Sequence, residues 1–159
     1  MDMRGMAIRS RGGFSLVELL VVMAIIAIVL AVALPIMSRA RLGAEETMVV
    51  REMHTIGQCQ TQYQSQFGRY AAALAELGPP NKGAVEGPQG SGLMAASLAS
   101  GEKDGYRFVL TAVPGGYTLV ATPEVFGKTG RRTFFLDQDG TVHQNWGPEL
   151  ASLDSPEFK

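Results

Sequence analysis

The side chain with the sharpest chemical requirement lies in the least polar part of the chain. From Phe14 to Leu34 there are 21 consecutive residues in which only Ser15 and Glu18 are polar. An ionised carboxylate at mid-bilayer depth costs about 2.5–3.5 kcal/mol on insertion scales, and less near the interface. Glu18 therefore requires either a cationic partner or a shallow position. Taken alone, it has a plain reading as a carboxylate that snorkels to the headgroups. Asp137 and Asp139, in "DQDG", could share a hard cation such as calcium. The Asp-Gly step between two strand-like runs is also a favoured hairpin turn, and the acidic spacing of an EF-hand loop is missing. The turn is the preferred reading, and Asp137 and Asp139 remain weak metal candidates. His54 and Cys59 have no ligand companions at metal spacing. Cys59 is the only cysteine, so an intrachain disulfide is excluded.

The element that positions Glu18 is a single long helix. At 1.5 Å rise per residue, the run from Phe14 to Leu34 is about 31 Å long, the hydrocarbon thickness of a bilayer. Arg4, Arg9 and Arg11 precede it against Asp2 alone. The positive-inside bias keeps such a head in the cytoplasm and sends the carboxy-terminal bulk outside. Three readings of this amino terminus compete. "AVA", residues 31–33, resembles a signal-peptidase site and implies a soluble exported protein cut after Ala33. The apolar run is longer than such a signal needs, and it contains Glu18. An uncleaved anchor is the second reading, and it gives Glu18 no role.

In the third reading the chain is cut between Gly13 and Phe14. "GGFSLVELLVVMAIIAIVLAVALP" resembles the class III signal of type IV pilins and of the pseudopilins of type II secretion. The resemblance implies that a prepilin peptidase/methyltransferase cuts after Gly13 and methylates the new amino terminus at Phe14. It also places the family's assembly glutamate at Glu18 and its helix-kinking proline at Pro35. The cut supplies the partner that Glu18 lacks, because the freed α-amine lies four residues away on the same helix face. The positive end of the helix dipole adds to this. Between packed subunits, the amine of one could meet Glu18 of another. A wrong axial stagger would leave a charge unpaired, so Glu18 would set register.

Downstream the chain reads as water-soluble. Leu42, Val49, Met53, Ile56, Tyr63 and Phe67 recur at helical spacing, with Arg51, Glu52, Gln58, Gln62 and Gln66 mostly off the stripe. Gly43 and Gly57 interrupt its regularity, and Gly68 is a natural stop. "RYAAALAELG" and "LMAASLASG" each predict a helical turn or two. Between them, residues 78–92 hold five glycines and three prolines and form a surface loop. "YRFVLTAV", "GYTLVAT" and the hairpin in "RRTFFLDQDGTVHQ" alternate with period two. They predict an antiparallel sheet of three to four strands under a long amino-terminal helix, an α+β fold. The expected divisions are a leader at 1–13, a membrane and filament-core helix at 14–34 and its amphipathic continuation at 35–68. A loop region with short helices at 69–105, the sheet at 106–145 and a tail at 146–159 complete the chain.

A net charge of -1 gives no nucleic-acid signature. No motif groups residues for catalysis, so an enzyme is not expected, and no cofactor is implied. The resemblance implies a structural subunit that polymerises through its amino-terminal helix into a type IV pilus, for adhesion, motility or DNA uptake. Its implied partners are the peptidase, identical or related subunits, an inner-membrane assembly platform, and membrane lipid before assembly. The bacterial inner membrane, then an extracellular pilus, is the implied location. The alternatives are a pseudopilin of a type II secretion system in the periplasm, and an exported soluble or simply anchored protein.

Overall fold

The computed structural model describes residues 13–159, apart from the side chain of Pro35. Two compact units are distinguished, one ending at Arg39 and the other running from Ala40 to Lys159. Helix α1, Leu16–Phe67, contributes to both, and the helical assignment passes through Pro35. In the amino-terminal unit, α1 exposes its aliphatic side chains all round. Leu16, Met23 and Val29 are among many large apolar residues more than half exposed. In water such a surface is untenable. It requires lipid or other copies of the helix.

The carboxy-terminal unit has its own core. From Ala40 onward, α1 buries Val49, Val50, Met53, Ile56 and Tyr63, one face at helical spacing, while Leu42 and Phe67 are half-buried. This face packs against a five-stranded antiparallel sheet in chain order. The strands are β1 (Glu102–Lys103), β2 (Tyr106–Val113), β3 (Gly116–Pro123), β4 (Arg132–Asp137) and β5 (His143–Trp146). Tyr106, Phe108 and Leu110 of β2 and Tyr117, Leu119 and Ala121 of β3 alternate inward, as their period requires. Two short helices, α2 (Leu74–Leu77) and α3 (Ala96–Ala99), plug one end of the core with Leu74, Leu77 and Leu98.

The sheet has one strand more than the three to four expected. The addition is β1, two residues long and joined to β2 through Asp104 and Gly105, both at positive φ. A two-residue strand carries no readable alternation. Gly57, an interruption in the sequence pattern of the helix, faces the Tyr117 side chain of β3. A Cβ there would lie 3.1 Å from the Tyr117 hydroxyl oxygen. The chain's last residues cover the outer edge of β5. The Gln144 N–H donates to the Pro156 carbonyl at 2.8 Å, and the Phe158 ring meets Phe134 edge-on at 5.7 Å.

Candidate functional site

Gly13, Phe14 and Ser15 precede the first helical residue, and Glu18 lies in the first turn of α1. All are exposed, Phe14 at 78 %. The helix is initiated locally, by the Leu19 N–H donating to the Ser15 carbonyl at 3.1 Å. Phe14 lies just ahead of the helix, four residues before Glu18, at the end where unsatisfied N–H groups favour negative charge. Beyond them α1 is the helix, among the described residues, long and apolar enough to cross a membrane. Arg4, Arg9, Arg11 and Asp2 of the expected leader lie outside the described residues.

In the other unit, a polar cluster holds the helix to the sheet. Glu46 is fully buried on α1. Its carboxylate accepts from the Arg131 backbone N–H and from Arg132 Nε, each at 2.8 Å. Arg132 also donates to Gln144 Oε1 at 2.7 Å and stacks on the Trp146 ring at 4.3 Å. Buried Gln60 likewise bonds both backbone groups of Ala71, accepting from its N–H and donating to its carbonyl. Lys103 on β1 pairs with Glu52 on α1, and the hydrogen bond between them raises the lysine pKa. Such clusters fix the geometry of α1 against the segments packed on it.

Asp137 and Asp139 lie in a hydrogen-bonded turn after β4. The Asp139 N–H donates to Asp137 Oδ1 at 3.0 Å and the Gly140 N–H to the Asp137 carbonyl at 3.2 Å. Among the described residues, no group of three or more His, Cys, Asp or Glu side chains gathers to hold a metal. His54 is exposed, whereas buried Cys59 directs its thiol at the Leu93 carbonyl, and burial pushes its pKa up.

Residues 8–34 match the family model described as "Prokaryotic N-terminal methylation motif". Residues 94–155 match a second model, "Protein of unknown function (DUF2950)". The chain is similar to the "Type IV wide pilus major component PilA4" of Thermus thermophilus. The two are 32% identical over 119 residues, which cover 73% of this chain and 85% of the relative. The chain belongs to the type IV pilin family. No solved structure matches it.

Membership makes this pilin a structural subunit rather than an enzyme. The matched motif includes Gly13, Phe14 and Glu18 and ends one residue before Pro35. Sequence reasoning missed Glu46, Gln60 and Arg132. Glu46 adjoins Glu45 and looks like half of an ordinary solvated pair, and its partner is 86 residues away. Gln60 gave a faint signal: it is one turn from Ile56 and three residues from Tyr63, on the apolar stripe itself.

Proposed function

We propose that this pilin is cut after Gly13, methylated on the α-amine of Phe14, and polymerised through α1 into a type IV pilus. The observation that carries the reading is the methylation motif over residues 8–34, joined to a helix whose apolar surface is exposed on every side. Before assembly that surface sits in lipid, with the amino terminus cytoplasmic and the carboxy-terminal unit outside. In the filament, neighbouring helices replace the lipid, and Ala24, Ala27, Ala31 and Ala33 permit close approach. Glu18 then meets a freed amine, its own or a neighbour's, and only the correct axial stagger neutralises both charges. Pro35 lacks the backbone donor that continues the ladder and serves as the point of bending. The pilus reading is favoured over a secretion pseudopilin because the similar Thermus protein is named as a pilus major component. Prepilin peptidase, an assembly platform and further pilin subunits are the partners this requires.

Replacing Glu18 tests the register. The Glu18→Ala protein should insert and be processed normally yet be missing from sheared surface filaments, while Glu18→Asp should retain part of the assembly. Wild-type yields of filament from Glu18→Ala would overturn the proposed role.

A further inference from the structure

Strand β2 is covered unequally on its two edges. Toward β3 it is paired along its whole length, Tyr106 to Val113. On the opposite edge β1 pairs only with Tyr106 and Arg107, and one further bond runs from the Phe108 N–H to the Gly101 carbonyl at 2.7 Å. Successive residues of a strand point their backbone groups to opposite edges. The tight turn at Pro114 and Gly115 makes Val113 and Gly116 a bonded pair, so the odd-numbered residues of β2 serve the β3 ladder. The N–H and C=O of Leu110 and Ala112 therefore face the open edge, and among the described residues no other group bonds to them. The same stretch is apolar or neutral on its solvent face, with Val109 49 % and Val113 38 % exposed and Thr111 between them. From Phe108 to Val113 there is no proline, charge or bulge of the kind that blunts an edge. A groove of about 490 Å³ lies alongside, lined by Arg69, Tyr70, Ala72, Ala112 and Val113 among others.

We propose that this edge is a self-pairing surface, occupied by the same edge of a second copy in an antiparallel register centred on Thr111. The sequence of the edge is complementary to its own reverse. Centring on Thr111 sets Leu110 opposite Ala112 of the second copy, and both have their backbone groups directed outward, so each pair exchanges N–H···O bonds. The same register sets Val109 against Val113 of the second copy and Thr111 against its counterpart, at non-bonded positions where side chains come closest. Shifting the register by one residue would oppose outward groups to inward ones and lose the bonds. The length also fits: the open stretch is bounded by the Gly101 contact at one end and the Pro114–Gly115 turn at the other, so each copy fills the other's gap. This contact has two-fold symmetry and cannot repeat along a polar filament. It instead joins subunits of two filaments lying side by side with opposite polarity. The setting rests on the filament reading above; the pairing is a property of the sheet.

Cysteine cross-linking of the full chain in sheared fractions and in detergent extracts tests both separately. Residues facing at a non-bonded antiparallel pair are about 4.5 Å apart at Cα, within disulfide range. On mild oxidation Thr111→Cys should give a covalent dimer on non-reducing gels. Val109→Cys alone should give none, but mixed with Val113→Cys it should give a heterodimer. Adding Ala112→Pro, which removes an outward N–H and spares the β3 ladder, should abolish the Thr111→Cys dimer. Equal linking by Thr111→Cys and Val109→Cys, or no Thr111→Cys dimer at all, would overturn the pairing, independently of how the proline variant folds. Electron microscopy of the same samples separates the readings. Filaments without Thr111→Cys dimers refute the pairing alone, whereas dimers without filaments support it and count against the filament.

Discussion

At the scale of single residues, the fold depends on Glu46. A fully buried carboxylate survives only if its charge and lone pairs are all engaged, and here an arginine side chain and a backbone N–H engage them. Removing it strands a guanidinium whose side chain is only 16 % exposed. Glu46→Ala is therefore expected to destabilise the carboxy-terminal unit by about 3–5 kcal/mol. Trp146, the chain's one tryptophan, lies over Arg132 and reports the loss directly in fluorescence-monitored urea unfolding. A change below about 1 kcal/mol, typical of an exposed pair, would contradict this role. The contrast with Glu18 shows what sequence reveals. Glu18 stands out because its neighbours are aliphatic; Glu46 sits in ordinary polar company, and its burial comes from β4 closing over it.

At the scale of elements, α1 was legible because its two halves have different periods of polarity: an unbroken apolar run, then a one-sided stripe. The sheet was legible wherever six or more residues alternate, as in β2 and β3, and opaque at β1, whose two residues are a strand only because β2 is beside them. The edge of β5 is closed by the tail, whose polar composition gives no strand pattern. Pro35 belongs to this scale too, since a proline within a helix acts on the backbone ladder. If it loosens α1, the amides just after it should exchange with deuterium faster than those of the flanking turns. Pro35→Ala should slow that exchange in micelles, by restoring a backbone bond. Unchanged protection at Ile36 to Arg39 would contradict a bend at this position.

At the scale of the whole molecule, the buried core lies in the carboxy-terminal unit, and the helix proposed to drive polymerisation is exposed in the other. The carboxy-terminal unit closes its core with tyrosines, and that ties its stability to alkaline pH. Burial pushes the Tyr117 hydroxyl up to about 12, and burial followed by the charge of Glu46 raises Tyr106 as well. Unfolded tyrosine ionises near ~10, so between about 10 and 12 the folded chain holds more protons than the unfolded one, and stability falls as pH rises. The midpoint of thermal unfolding should drop across that window, and Tyr117→Phe should make the drop shallower with little change at neutral pH. Parallel curves for the two proteins would rule out Tyr117 as a contributor. The amino-terminal unit, by contrast, is proposed to acquire its function only when proteolysis provides a cation beside Glu18. Mass spectrometry of the amino-terminal peptide from purified filaments tests that most directly. Filaments assembled as proposed contain a chain beginning at N-methylated Phe14; a chain in those filaments still beginning at Met1, or beginning at Leu34, would contradict the proposal.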